Sequence, residues 1–447
     1  MRCPMKTWMP ISIMVLALSA VSYGQATPTA VASNTSPRWG LPSLDGTLHY
    51  ALSASQLVQF GLYGSGNTTY GTALSGSVSY ANLSESLPFS MLFSGGVIFG
   101  NSGQGTTTYQ NIAVSQGLVR GKWVLNVANT FSYLPQSPTT GLSGIQGVGD
   151  IGTQPIETPG QGPSGGILTY AGNRFSNTLS GSIERRLTGR TSLSGTGSWA
   201  VLRFLDNNGI DTTQISGSVS ANHTIDARDT ISASAIYSTY STNGDAAEVS
   251  YLNPLYTADF RTRGLNAGYT RLLSRALVFN ASAGPQWVDS SSGTLIPSRV
   301  NLAANVGLSY SRKVIGASIN YSRGVNGGGG IQPGGLSDSI AGSVGRSLNR
   351  TWLASAQVGY TRTSGLIAAP SAGQTPEAVV NGVTKSFFGG AQLSRAFGRY
   401  WSGWLSYEAQ HQSTNSSLVS QNAFIGLSQT FAVGVTFAPK ATRLGQF

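Results

Sequence analysis

From Val300 to Tyr310 the chain alternates without a break. Val300, Leu302, Ala304, Val306, Leu308 and Tyr310 are apolar, and Asn301, Ala303, Asn305, Gly307 and Ser309 lie between them. Successive side chains of a strand point to opposite faces, so this pattern predicts a strand with one apolar face and one small, polar face. The same period sets Ile215, Val219 and Ala221 against Gln214, Ser216, Ser218, Ser220 and Asn222. It sets Phe89, Met91, Phe93, Val97 and Phe99 against Ser90 and Ser94, and Trp352, Ala354, Ala356, Val358 and Tyr360 against Ser355, Gln357 and Thr361. Composition decides what the apolar faces meet. Only 10% of residues are charged, against about 25% in an average soluble protein, which is too few to solvate a globule of this length. Disorder does not fit either, because 40% of residues are hydrophobic and they recur in regular order. No apolar run approaches the ~20 residues of a spanning helix. A sheet closed on itself inside a bilayer answers all three constraints: lipid takes the apolar faces, and closure pairs every backbone group. The expected fold class is therefore all-β, a transmembrane antiparallel up-and-down β-barrel.

The first residues read as a secretory signal peptide over 1–24. Arg2 and Lys6 precede the apolar stretch Ile11–Val21, and Ser22-Tyr23-Gly24 places small residues at a cleavage site, with Gly24-Gln25-Ala26 as a second candidate. Cys3 precedes the apolar stretch, so cleavage leaves no thiol for a disulfide or a thiolate metal site. Residues 25–45 read as a flexible periplasmic lead-in and 46–447 as the barrel with its external loops. The lead-in is too short for a plug domain, which argues against a large energy-coupled transporter.

The joints alternate between tight and long. Tight turns centre near Gly121, Gly189, Ala227, Ser274, Lys313, Asn349 and Gly398, and long connections fall at 136–172, 206–212, 241–255, 290–298, 327–338, 365–382 and 414–421. Earlier strands are predicted near 47–62, 72–81, 89–100 and 111–120. The total is about 18 strands, within a range of 16–20, an even number that puts both termini on one side. Short turns then belong to the periplasm and long loops to the exterior.

Charge is sorted along this axis. Four turns carry arginines four apart: Arg186 with Arg190, Arg271 with Arg275, Arg346 with Arg350, and Arg395 with Arg399. Most acids are expected in the long connections, among them Asp150, Glu157, Asp206, Asp211, Asp245, Glu248, Asp338 and Glu377. Aromatic residues form two expected girdles, with Trp123, Tyr269, Tyr310, Trp352 and Trp401 near the tight turns and Tyr133, Trp199, Tyr321, Tyr360 and Tyr407 near the loops. Eight to ten tilted strand residues separate such girdles by roughly 20–25 Å, which matches the apolar band of an outer membrane.

Segments such as Gly345-Arg346-Ser347-Leu348-Asn349-Arg350-Thr351-Trp352 and Ser394-Arg395-Ala396-Phe397-Gly398-Arg399-Tyr400-Trp401 resemble the turns of β-barrel porins of Gram-negative bacteria. The whole mature chain resembles their large outer-membrane barrels, some of which are linked to surface-polysaccharide systems. The resemblance is one of pattern and carries no catalytic motif. The C-terminal strand departs from the usual assembly signal: Phe431, Val433, Val435 and Phe437 alternate, but Lys440 to Phe447 follow them.

The strand map keeps His49, His223 and His411 apart, so no metal site or hydrolase triad is expected from them. Glu184, Asp226 and Asp229 read as rim ion pairs beside basic turns, and the glycines at 327–330 lack the strand–loop–helix context of a phosphate cradle. No enzyme activity, cofactor or nucleic-acid partner is expected. What remains is a lumen of Ser, Thr, Asn, Gln and Gly, with Asn301, Asn305, Ser309, Ser216, Ser218 and Gln357 as candidate lining residues. Such a lining suits passive diffusion of small hydrophilic solutes. A scaffold or binding barrel for surface-polysaccharide export is the alternative. Two further sites are expected. Arg271, Arg346 and Arg395 share the lipid-facing parity of Tyr269, Val344 and Leu393, so they would form a rim that reaches the phosphates of the periplasmic leaflet, or else a solvated edge. The 136–172 connection would either fold inward as a constriction loop carrying Asp150 and Glu157, or stay outside. Expected partners are outer-membrane lipids, the barrel assembly machinery and small solutes.

Overall fold

The computed structural model describes residues 46–61, 68–82, 84–100, 106–135, 173–205, 210–244, 258–290, 296–327, 334–366, 382–415, 425–440 and 442–444. The candidate signal peptide, the lead-in and the 136–172 connection with Asp150 and Glu157 lie outside the described residues. The first six strands are β1 (Gly46–Phe60), β2 (Thr68–Asn82), β3 (Phe89–Gly100), β4 (Thr106–Arg120), β5 (Trp123–Pro135) and β6 (Asn173–Arg186). Next come β7 (Thr191–Phe204), β8 (Ile210–Thr224), β9 (Asp229–Gly244), β10 (Ala258–Ser274), β11 (Leu277–Ser290) and β12 (Arg299–Arg312). The last are β13 (Ile315–Asn326), β14 (Gly335–Ser347), β15 (Trp352–Gly365), β16 (Val383–Ala396), β17 (Trp401–Thr414), β18 (Gly426–Phe437) and the short β19 (Thr442–Leu444).

Each of β1 to β18 pairs antiparallel with the next, and β1 also pairs with β18 from Leu52↔Phe437 to Phe60↔Gln429. The sheet is therefore a closed barrel of 18 staves. β19 prolongs the last stave, pairing Gly46↔Leu444 to Leu48↔Thr442. Leu48 meets Thr442 whereas Leu52 meets Phe437, so the returning strand carries one extra residue at this seam, the signature of a bulge. The chain beyond Phe437 thus rejoins the wall before Phe447, which lies outside the described residues. Eighteen strands about 4.8 Å apart and tilted ~40° close at a backbone diameter of roughly 36 Å, wide enough for an aqueous channel.

Tight turns are closed by short polar side chains that accept backbone N–H groups. Asp226 Oδ1 accepts from Arg228 N and Asp229 N, and Asn349 Oδ1 from Thr351 N and Trp352 N. Thr188 Oγ1 accepts from Arg190 N and Thr191 N. Gly121 (φ 59°) and Gly398 (φ 99°) occupy the left-handed region, where a side chain is strained. At the other end the strands run further than alternation predicts. The alternation predicts connections at Ile210–Thr212, Ser241–Gly244 and Gly335–Asp338, and all three are paired strand. Pairing continues past the lipid band wherever two chains run side by side, and Ser/Thr-rich sequence does not mark its end. Asp211 and Asp338 accordingly sit in strands, each facing an arginine: Arg203 Nε at 3.6 Å and Arg323 Nη1 at 2.7 Å.

The two faces differ as the alternation requires. Val300 is 61% exposed and Leu302, Val306 and Leu308 are exposed with it; Ile215, Val219, Leu405 and Val433 form the same surface on other staves. A belt of this size would aggregate in water, so it belongs in lipid. The molecule is a transmembrane barrel of the outer-membrane type.

Candidate functional site

The inward face is built from the other parity. Between β7 and β8 three hydroxyl pairs stack: Ser194 with Ser220 (2.6 Å), Thr196 with Ser218 (2.7 Å) and Ser198 with Ser216 (2.5 Å). Between β13 and β14 Ser318 meets Ser343 and Ser322 meets Ser339. Asn280 Nδ2 donates to Asn305 Oδ1 at 3.3 Å. A hydroxyl donates once and accepts twice, so each pair keeps capacity for water. This gives a neutral, wettable wall. Asn301, Asn305 and Ser309 lie on this face of β12, and Gln357 lies on it in β15, opposite Ser343 and Gly390.

The wall is not uniformly small and polar. Tyr109, Phe388 and Trp404 have inward parity and are buried, because each ring lies flat over a glycine of the adjoining strand. A Cβ on Gly96 would stand 2.7 Å from Tyr109 Cζ, and one on Gly434 2.6 Å from Trp404 Cε2. Without a glycine there, the ring would be driven into the bore. Charges also join the lining: Glu184 and Arg186 share the parity of inward Ser182 near the tight turns, and two more lie elsewhere on the wall. Arg299 shares the face of Asn301, with Val288 as its cross-strand neighbour, and its Nε and Nη2 have no hydrogen-bond partner among the described residues. Glu408 lies inward on β17 opposite Gly390. Both were legible from parity: Arg299 is one step of two from Asn301, and Glu408 is two from Ser406.

At the long-connection end the β13–β14 hairpin leans across the bore. Val325 has outward parity in its strand, yet it is buried against Tyr240, Phe260, Val288, Ile296 and Leu366, with Leu336 packed alongside. Tyr240, Phe260 and Val288 are inward residues of β9, β10 and β11, so only an inward fold of the hairpin brings Val325 to them. Tyr240 Oη donates to Val325 O at 3.2 Å, and Val325 N donates to Gln286 Oε1 at 3.2 Å. Gly327 O accepts a long bond from Thr212 Oγ1 on β8, at 3.5 Å. Asn326, Ser337 and Thr363 form a buried chain behind it, with links of 2.6 Å each. The described residues thus contain an inward-folded element at a hairpin where the alternation predicts an ordinary connection. The one available signal is the apolar inward pair Tyr240 and Phe260, which breaks the polar rule of the lining.

At the tight-turn end the arginines sit over the aromatic belt. Arg395 lies over the rings of Trp352 (5.3 Å) and Phe397 (5.5 Å), and Arg185 lies over Trp123 (5.0 Å). Arg271 Nε lies 3.7 Å from Asp229 Oδ1, which also accepts from Tyr269 Oη. Arg346 stands opposite Ile315 and Ala354. The rim arginines do not face one another across the strand pairs: Arg271 faces Asp229 and Phe279, and Arg395 faces Trp352 and Gly403. Of the acids read as rim pairs, Asp229 is one, Asp226 closes a turn, and Glu184 lies opposite Val124 and Ser194. The Arg228 and Asp229 N–H groups hold the Asp226 carboxyl below the usual aspartate range. Among the described residues no group of three or more His, Cys, Asp or Glu is placed to hold a metal ion.

No family model matches the sequence, and no curated protein is similar to it. Solved structures give distant likenesses. OccK2 (OpdF) of Pseudomonas aeruginosa is 8% identical at a TM-score of 0.41, over 88% of this chain and 98% of that one. OprD of Pseudomonas aeruginosa is 9% identical at 0.39, over 90% and 96%. The FrpB iron transporter of Neisseria meningitidis is 10% identical at 0.42, over 83% and 62%. Likenesses this distant assign no family, and the barrel rests on its own strand pairings.

Proposed function

We propose that the protein is an outer-membrane, porin-like channel through which small hydrophilic solutes diffuse passively. The observation that carries this is the inner wall of paired hydroxyls and amides, broken by few charges such as Arg299 and Glu408, inside a closed 18-stave barrel. Such a wall binds water without holding ions tightly, so it favours passage over capture. In this reading the signal peptide is removed and residues 25–45 lie on the periplasmic side. Both termini and the tight turns face the periplasm, and the long connections face the cell exterior. Asn301, Asn305, Ser309, Ser216, Ser218 and Gln357 line the path, surrounding lipids and the assembly machinery are the partners, and no catalysis is involved. The leaning β13–β14 hairpin favours a second reading, a binding or scaffold barrel serving surface-polysaccharide export, because it narrows the mouth.

Planar-bilayer recording of the purified barrel under a salt gradient separates the two. A channel gives discrete conductance steps, and Asn305→Glu moves the reversal potential toward cation preference. A barrel that inserts fully folded and passes no current, even at high salt, overturns the channel.

A further inference from the structure

The outward face carries a second row of cations, beyond the aromatic belt at the long-connection end. Tyr321, Ile340, Tyr360, Phe387 and His411 are successive cross-strand neighbours from β13 to β17. One step of two further along, the neighbours are Arg323, Asp338, Arg362 and Lys385. Arg323 and Tyr321 both bond Asp338, at 2.7 and 2.9 Å, so the single acid of this row is already engaged. Arg362 and Lys385 are exposed and directly opposite each other. Like charges in register destabilise a strand pair, and among the described residues neither has an ion-pair partner. On β15, Tyr360 is eight residues from Trp352 of the other girdle. That spans about 20 Å along a tilted strand, and Arg362 adds roughly 5 Å. The pair therefore stands at headgroup depth, above rings that mark the edge of the hydrocarbon.

We propose that Arg362 and Lys385 form a binding site for a phosphate group of a phosphorylated glycolipid in the outer leaflet. An anion set between the two cations converts their repulsion into two charge-assisted bonds, and Tyr360 and Phe387 give the acyl chains an apolar bed. Arg323, held by Asp338, fixes one end of the row, and His411 stands beside Phe387 in the row beneath. The proposal rests on the reading that the long connections face the exterior.

The test is native mass spectrometry of the full-length protein, titrated in detergent with bisphosphorylated lipid A, dephosphorylated lipid A, phosphatidylglycerol or inorganic phosphate. Bisphosphorylated lipid A is expected to stay bound, and Arg362→Gln with Lys385→Gln to weaken it about tenfold. Arg275→Gln with Lys313→Gln, which removes the same charge from the opposite end, is expected to leave binding unchanged. If the double variant does not reach the folded, heat-modifiable form, Lys385→Gln alone makes the comparison. Equal loss in both variant pairs, or no loss in either, overturns the site. So does equally tight binding of the dephosphorylated lipid or phosphatidylglycerol, or displacement of lipid A by millimolar phosphate. Orientation is read separately, by labelling Asn415→Cys in intact cells with an impermeant thiol reagent. A barrel without conductance would refute the channel and leave this comparison intact.

Discussion

The leaning hairpin makes Phe260→Ala an informative substitution. Phe260 is 3% exposed; one side of its ring stacks on Tyr240 at 4.6 Å, and the other meets the hairpin, where a Cβ on Gly334 would stand 2.8 Å from Cε1. A buried phenylalanine covers 150–250 Å², so the hairpin side accounts for roughly 80–100 Å², or about 2 kcal/mol at ~25 cal/mol per Å². The hairpin is also held by the Tyr240 and Gln286 bonds to Val325, about 1 kcal/mol each, by the longer Thr212 bond to Gly327 O, and by the packing of Val325 on Val288, Ile296 and Leu366. Losing about 2 kcal/mol raises the ratio of raised to docked hairpin about thirtyfold. In single-channel records the variant should occupy a larger conductance level far more often than the parent. Its strand pairing on β10 is untouched, so the folded form should persist on heat-modifiability gels. A correctly folded variant with unchanged conductance and dwell times refutes the docked hairpin as a constriction.

Replacing Arg271, Arg346 and Arg395 together with Glu should lower the temperature at which the barrel loses its folded gel mobility, because it ends the Asp229 contact and the ring contacts of Arg395; a parent-like melting profile removes the lipid role of that rim. Deleting 141–163 decides between the two readings of the 136–172 connection: an infolded loop predicts larger conductance and entry of bulkier sugars, whereas unchanged conductance in an assembled barrel places that connection, with Asp150 and Glu157, outside the path. The Asp226 turn should respond to acid in a fixed direction. Its carboxyl is lowered in the folded state, so its contribution is complete above the unfolded value near 3.9 and is lost as pH falls through the lower folded value. Hydrogen exchange of Arg228 and Asp229 should accelerate in that acid window, and in Asp226→Asn it should not; equal acceleration in both assigns the effect elsewhere.

Alternation made most of the fold legible, because a period of two inside a bilayer has one architectural solution. It placed Val300 and Leu302 outside and Asn301 inside, and the short polar turn residues marked one end. It failed where the bilayer stops imposing the pattern. Asp338 belongs to a strand because Arg323 and Tyr321 hold it there, a tertiary fact with no local sequence signal. Val325 breaks its own parity, since the hairpin bends and exchanges an outward position for a place against Tyr240 and Phe260. Arg299 and Glu408 were readable by counting in twos, but a composition-level view of a neutral lumen passed over them.

The seam between the first and last staves has a consequence for how the barrel is made. Thr224 and Thr230 meet across a turn at a separation of 6 residues, whereas Ser53 and Thr436 meet at 383. Bringing the distant pair together costs about 4 kcal/mol more chain entropy than forming the hairpin. Neighbouring staves therefore zip early and the seam forms last, as non-local contacts generally do. Until then β1 and β18 are bare edges, able to pair with any strand they meet. The slow, vulnerable step of biogenesis is thus concentrated in one joint, and the extra residue between Phe437 and Thr442 lies within it. A nascent chain that stalls there would be a nearly complete sheet with two sticky borders, which is the species an assembly factor would have to hold.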